Sequence, residues 1–257
     1  MSGRPPRIAM LCGDGPSSWF MYNALAGEVQ ILAVVVERKP SARGMLRYRV
    51  RQLGWPTVIG QLAFIAFNRL LVRFQRRRMD ELILRYGLQA DPPPAAITHR
   101  VHSVNAAAVR RLLGKLDIDA VVVNGTRIIS RAVIECIDRP FINTHVGITP
   151  RYRGVHGGYW ALVHDDAENC GVTVHLVDTG VDTGGVLYQQ RIHVGSGDGF
   201  NTYPLHQLAA AIPLMKQALH DVVDGTLIHR DGVGPSRLWY HPTLGQYLRY
   251  RFSKSVK

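Results

Sequence analysis

Asn143 and His145 stand two residues apart in the segment FINTHVGITPRYRG, and Asp182 follows in GVTVHLVDTGVDTGG, flanked by glycines after an apolar run. An amide, an imidazole and a carboxylate of this kind can transfer an acyl group without a covalent intermediate. If FINTH ends a strand, alternate residues project from one face, so Asn143 and His145 leave it together. A carbonyl oxygen on its way to an oxyanion needs donors aimed where charge develops, and this pair can supply them. Asp182 can orient the imidazole and help move the proton that leaves an attacking amine. No Ser or Cys nucleophile is required.

The elements that must position these groups read as alternating strands and helices. Arg7 to Cys12 predicts a strand, GDGPSS a turn, and WFMYNAL the helix after it; VQILAVVVE, from Val29 to Glu37, predicts a buried strand. ITHRVHSVNAAAVRRLLGKL reads as a short strand and a helix, and DAVVVNG as a strand ending at Asn124 and Gly125. This alternation predicts a largely parallel sheet covered on both faces. Ligands of such sheets collect beyond the carboxyl ends of the strands, where Gly125, Asn143 and the loop from Gly180 to Gly184 would lie. The loop from Gly13 to Ser18 precedes a helix and can cradle phosphate with backbone N–H groups, which makes Gly13 and Ser17 candidate substrate contacts. It has neither the dinucleotide-binding pattern nor a P-loop lysine, so a simple turn with Ser capping is the competing reading.

At Asn143, His145, Pro150, Arg153, Gly154, the GVTVH run and DTGVDTG from Asp178 to Gly184, the sequence resembles the folate-dependent formyltransferases that act on glycinamide ribonucleotide, methionyl-tRNA and sugar nucleotides. The resemblance implies a Rossmann-like α/β formyltransferase fold, with 10-formyltetrahydrofolate as co-substrate and no metal. It implies that Asn143 holds the formyl oxygen, that His145 stabilises the oxyanion and assists proton movement, and that Asp182 pairs with His145 or an ordered water. Arg127, Ile128 and Ile129, in NGTRII, are carried over as folate contacts, with Val177, Asp178 and Gly180 closing the other side of the ring. Arg153, His156 and Tyr159, just past the catalytic strand, are the candidate acceptor contacts. His175 reads as strand structure. The family usually has Ser where this chain has Gly147.

Beyond the motif the chain is basic, with 31 Lys and Arg against 19 Asp and Glu among 257 residues, a balance that favours anionic partners. Cys12, Cys136 and Cys170 are widely spaced and lack metal-ligand spacing, which suits a reducing cytoplasm. The first apolar run, IAMLC, is too short for a secretory signal, and the least charged window, Gln52 to Asn68, is too short for a membrane span. Residues 41 to 90 do not look like the family core. There Ile59, Leu62, Ala63, Ala66, Phe67, Leu70, Leu71 and Phe74 recur at helical spacing before Arg69, Arg73, Arg76, Arg77 and Arg78 crowd the end. The stretch reads either as a helical pair packed on the core with a solvated Arg face, or as an amphipathic insertion that docks on an anionic bilayer. A lid or a homodimer interface is also compatible with it.

DPPPAA, from Asp91 to Ala96, ends the insertion. A helix is predicted from Pro204 to Val223, with a break at Pro213, and LIHRDGVGPSRLWYHP reads as a hairpin. The organisation expected is a catalytic domain over residues 1–205, with the insertion at about 41–90, and a C-terminal helix and hairpin extension over 206–257. Too few residues follow the core for the tRNA-binding module that resemblance to the methionyl-tRNA enzymes would demand. The expected function is therefore formyl transfer to the primary amine of a nucleotide-linked amino sugar in surface-polysaccharide synthesis. The expected location is the cytoplasm, with peripheral membrane contact through the Arg-rich stretch and nucleic acid an unfavoured partner. Glycinamide ribonucleotide, another small amine or methionyl-tRNA are the alternative acceptors, and a non-catalytic membrane-peripheral or scaffolding protein is the alternative of another class.

Overall fold

The structure, a computed structural model, describes residues 3–39 and 41–257. In chain order its strands are β1 (Arg7–Gly13), β2 (Gln30–Glu37), β3 (Thr98–Val101), β4 (Ala120–Asn124), β5 (Phe141–His145), β6 (Arg153–Gly154), β7 (Gly171–Leu176), β8 (Val186–Arg191) and β9 (Leu238–Trp239). The helices are α1 (Pro16–Ala26), α2 (Ala42–Leu53), α3 (Trp55–Arg85), α4 (Ala107–Leu113), α5 (Arg131–Ile134), α6 (Gly157–Val163), α7 (Tyr203–Asp224) and α8 (Leu244–Ser253). Seven strands form the main sheet in the order β3-β2-β1-β4-β5-β7-β8. From β3 to β5 they are parallel, and β7 and β8 add on antiparallel. The chain runs outward from β1 to β2 and β3, then crosses back to β4. This reversal opens a crevice beyond the carboxyl ends of β1 and β4.

Alternation along the strands divides the core into two layers. Ile8, Met10 and Cys12 pack with Met21 and Leu25 of α1 and Met215 and Leu219 of α7. Ala9 and Leu11 point the other way, onto Val109 and Leu113 of α4 and Val133 of α5. The predicted mostly parallel sheet with helices on both faces is therefore the one that forms. Burial pushes the Cys12 and Cys170 thiols up to about 12, so both behave as packed hydrophobes.

Three expectations about the later chain are corrected. Helix α7 does not break at Pro213, because Met215, Ala218 and Leu219 beyond it stay buried on the same face and outweigh one lost backbone bond. The boundary drawn at 205/206 falls inside α7, whose Leu205, Leu208 and Met215 share the core of β1. The tail hairpin does not form either. Arg230 instead makes an isolated bridge to Val186, and β9 pairs parallel with β6, where the Arg153 N–H donates to the Arg237 carbonyl at 3.1 Å and the Val155 N–H to the Trp239 carbonyl at 3.1 Å.

The helical insertion forms, but α3 buries a face rotated from the predicted one. Val58, Gln61, Phe64 and Leu82 are buried, whereas Ile59, Leu62, Leu70 and Phe74 are exposed. Polar residues share the inward face because each finds a partner there. Gln61 Nε2 donates to the His241 carbonyl at 2.8 Å, Asn68 exchanges hydrogen bonds with Asn201, and Arg78 Nε donates to the buried Asp198 at 2.9 Å. Phe64 packs edge-on against Phe200, with ring centroids 4.9 Å apart. Contrary to the reading of Gln52 to Asn68, α3 is long and apolar enough by length and composition to cross a membrane. If its inward face is the one seen here, Phe64→Ala destabilises the protein by about 3–5 kcal/mol. Leu62→Ala, two residues away, changes stability by no more than about 0.5 kcal/mol. Urea unfolding of both variants measures this, and the reverse ranking would turn the helix over.

Candidate active site

Strand β5 delivers Asn143 and His145, and the antiparallel β7 sets His175 directly opposite Asn143. In such cross-strand pairs the side chains touch. Asn143 Nδ2 lies 3.1 Å from His175 Nε2, while His175 Nδ1 faces the Leu176 carbonyl at 2.6 Å. A carbonyl only accepts, so Nδ1 carries a proton, and Nε2 stands between the Asn143 amide and the Asp182 carboxylate. That fixes the amide, with its second N–H free to turn toward the cavity. The reading of His175 as strand structure thus missed a partner of Asn143; the signal was its place three residues before the DTGVDTG loop.

The loop between β7 and β8 brings in Asp182. It is a tight loop: Asp178 Oδ1 accepts from the Gly180 N–H at 3.0 Å and from the Thr183 hydroxyl at 2.7 Å. A side chain on Gly184 would collide with the Leu176 carbonyl, 1.9 Å from where its Cβ would stand. Asp182 itself takes a left-handed conformation at φ 51°, which Asp tolerates better than most residues but which still costs energy. Three contacts hold it there. Its Oδ2 accepts from the Gly154 N–H at 2.9 Å and faces His145 Nδ1 at 3.2 Å, and its Oδ1 lies 3.6 Å from His175 Nε2.

These contacts decide the protonation of the pair. Burial alone would raise the Asp182 carboxyl, but His145, His175 and the Gly154 N–H outweigh it and bring it down to about 2, so Asp182 is a carboxylate at neutral pH. Burial pushes His145 below its ordinary value, against the pull of Asp182 and the Tyr152 carbonyl. His145 Nε2 lies 2.6 Å from that carbonyl, so both ring nitrogens face acceptors. A neutral imidazole has one N–H and satisfies only one of them. Releasing Nε2 from Tyr152 is the movement that would present a basic nitrogen to a reacting group.

A cavity of about 370 Å³ opens over these residues. Asn143, His145 and Asp182 line it together with Arg127, Ile128, Ile129, Val177, Asp178 and Gly180, so the catalytic and folate-contact candidates meet in one place. A second cavity, of about 430 Å³, lies at the β1/β4 reversal and contains Gly13 and Ser17. The two cavities share Gly125, Thr126 and Arg127. Glu37, buried at the end of β2, holds this junction: it accepts from the Val104 and Arg127 N–H groups at 2.8 and 3.1 Å and pairs with Arg127 Nε at 2.6 Å. A carboxylate ending the otherwise apolar run VVVE was the sequence signal for it.

The remaining acceptor-contact candidates are not brought to either cavity. Arg153 braces the Asp182 loop from behind, with Nη1 donating to the Val181 carbonyl at 3.0 Å. His156 Nε2 pairs with His241 Nδ1 at 2.9 Å and packs on Phe200; burial lowers the two rings to about 3 and about 4, which keeps both neutral. Tyr159 is buried between Trp160, Phe200 and Tyr247. Aromatic packing claims both because Phe200 lies against the start of α6, with His241 on His156 and Tyr247 of α8 on Tyr159.

With the geometry established, comparison with known proteins gives the family. The sequence profile described as formyl transferase matches residues 29–210. The chain belongs to the formyl transferase family. It is 32% identical to a methionyl-tRNA formyltransferase from Albidiferax ferrireducens over 159 residues, which are 61% of this chain and 48% of that protein. The chain spans about half the length of the curated relatives it matches. Among solved structures it is similar in fold to glycinamide ribonucleotide transformylase 1 from Symbiobacterium toebii (TM-score 0.57, 19% identity, covering 89% of this chain and 95% of that one). It is also similar to the N-formyltransferase from Helicobacter canadensis in complex with folinic acid and dTDP-3-aminofucose (TM-score 0.55, 14% identity, covering 90% and 70%).

Gly147, where other members of the family usually have Ser, has a structural reason here. A Cβ at this position would stand 2.3 Å from the Tyr152 carbonyl oxygen and 2.7 Å from His145 Nε2. The Tyr152 carbonyl approaches His145 through the space that a side chain would fill. Gly147→Ser is therefore expected to cost about 1–3 kcal/mol and to displace the His145 ring. Gly27→Ser, at a position open to solvent, is expected to be silent. Thermal denaturation and the His145 imidazole NMR signals check both; an unshifted His145 signal in a fully stable Gly147→Ser protein would contradict the contact.

Proposed function

We propose that this chain transfers a formyl group from 10-formyltetrahydrofolate to the primary amine of a nucleotide-linked amino sugar, in the cytoplasm, as a step of surface-polysaccharide synthesis. The observation that carries the reaction is the convergence of Asn143, His145 and Asp182 on one cavity of a formyl transferase family member. The cavity suits a flat heteroaromatic ring, with Ile128, Ile129 and Val177 as apolar walls and Arg127, Asp178 and Gly180 as polar neighbours. The folinic acid held by the Helicobacter canadensis protein supports a folate here.

The chemistry needs a neutral amine, whose lone pair forms the new N–C bond to the formyl carbon as the bond from that carbon to N10 of the folate breaks. Asn143 donates its free N–H to the oxygen that becomes negative between these events. His145 Nε2, released from the Tyr152 carbonyl, takes the proton lost by the amine and returns it to N10. Asp182 stabilises the imidazolium in between and holds the ring through Nδ1.

The second cavity suits the acceptor's phosphates. Arg38, Lys39 and Arg127 line it opposite the Gly13 to Ser17 turn at the start of α1. Its junction with the first cavity at Gly125 to Arg127 would let an amine bound there reach the formyl carbon. The dTDP-3-aminofucose of the neighbouring structure supports the same class of acceptor. Methionyl-tRNA is the second reading, favoured by the curated sequence relatives.

Incubation with 10-formyltetrahydrofolate and a panel of nucleotide-linked amino sugars, glycinamide ribonucleotide and methionyl-tRNA is expected to give a formamide on an amino sugar, seen by mass spectrometry. Asp182→Asn is expected to lower kcat by about 100-fold or more without unfolding the protein. Folded protein that formylates no amine in the panel would overturn the proposal, and product on tRNA alone would move it to the second reading.

A further inference from the structure

Helix α3 docks through one face and leaves the opposite face without a partner. Trp55, Ile59, Leu62, Ala66 and Leu70 follow one another at steps of three or four residues, all of them exposed. Their row continues into Arg69, Arg73, Arg76 and Arg77 over the next turns. Helix α2 packs beside it and adds the exposed Arg43, Arg47 and Arg51 with Met45 and Tyr48. Between Ala42 and Arg85 the sequence has ten arginines and two carboxylates, Asp80 and Glu81. Among the described residues, Arg43, Arg47, Arg51, Arg69 and Arg73 have no carboxylate partner.

We infer that this surface is an interfacial anchor that lies in the plane of an anionic lipid bilayer. An apolar row of this extent is rare on a monomer that touches nothing, and its rim of unpaired guanidinium groups selects the partner. Arginine stems lie along apolar surface while their heads reach lipid phosphates. A second copy of the chain would set the same cations against themselves, which electrostatics opposes. In this fold the helix is docked along one side, which favours lying on the bilayer over spanning it. Its inward face is fixed by Phe64 among aromatic rings and by the polar bonds of Gln61, Asn68 and Arg78. The anchor begins beside the site, since Met45 of α2 lines the second cavity. Docking therefore holds the mouth of that cavity near the lipid headgroups. The inference stands on the helical arm alone and does not require the acceptor proposed above.

The test uses the full chain with vesicles rich in phosphatidylglycerol and with vesicles of phosphatidylcholine alone. Co-sedimentation with the first and not the second is expected, reversed by high salt. Trp55 is the one exposed tryptophan, the other three being buried, so a blue shift of emission on binding is expected and should vanish in Trp55→Phe. Arg69→Glu with Arg73→Glu, and separately Ile59→Glu with Leu62→Glu, should each lower vesicle partitioning by about tenfold or more. Both pairs should leave folding and formyl transfer to a water-soluble acceptor unchanged, which keeps a failure of docking distinct from a failure of catalysis. The inference is overturned if the folded chain ignores anionic vesicles at low salt or if neither pair weakens binding. It is equally overturned if light scattering finds a dimer that Ile59→Glu with Leu62→Glu disperses and that binds no lipid.

Discussion

The carboxylate of Asp182 is the constraint around which the site is built. It is partly buried, it sits in a left-handed backbone conformation, and it stays charged because a backbone N–H and two imidazoles surround it. A buried carboxylate without such partners would take up a proton or drive its loop outward. The same oxygen that accepts from Gly154 faces His145 Nδ1, so the position of the loop and the orientation of the imidazole are one problem with one solution. Asn143 joins the group through His175, which makes four side chains from β5, β7 and the following loop mutually dependent.

Much of the remaining fold serves to hold that arrangement from outside. Gly154 can meet Asp182 because β6 is pinned to β9, and the Trp239 indole N–H adds a bond to the Arg151 carbonyl at 3.0 Å. The tail thus acts on the site through a strand of two residues far away in sequence. Arg153 secures the Asp182 loop at Val181, and Glu37 secures the junction of the two cavities at Arg127. The parallel sheet supplies the frame: strand ends that reverse direction at β1 and β4 leave the crevice into which these loops fold.

The convergence of Asn143, His145 and Asp182 on one cavity was legible in the sequence because it is local. Asn143 and His145 share a strand, and Asp182 sits in a loop whose glycines declare a tight turn, so residue type and spacing were enough. The buried strands were legible because both their faces are apolar. What escaped depends on contacts distant in sequence. The partnership of His175 with Asn143 needs the antiparallel register of β5 and β7. His156 and Tyr159 stand next to the motif in sequence, yet Phe200, His241 and Tyr247 pack over them. The inward face of α3 was misjudged because apolar periodicity favours Ile59 and Leu62, whereas Gln61, Asn68 and Arg78 turn inward only once His241, Asn201 and Asp198 are there to receive them. The tail was read as a hairpin because a Gly-rich stretch between apolar runs looks the same whether its strands pair with each other or elsewhere.

That Asp182 organises a buried, neutral His145 is best tested by following the imidazole of His145 by NMR as a function of pH. Burial favours the neutral ring, so the folded protein takes up this proton only below the ordinary histidine value of 6.5. The midpoint is expected below 6.5, and lower again in Asp182→Asn, because the carboxylate is the group that opposes the downward shift. A midpoint at or above 6.5, or one that does not respond when Asp182 loses its charge, would contradict the account.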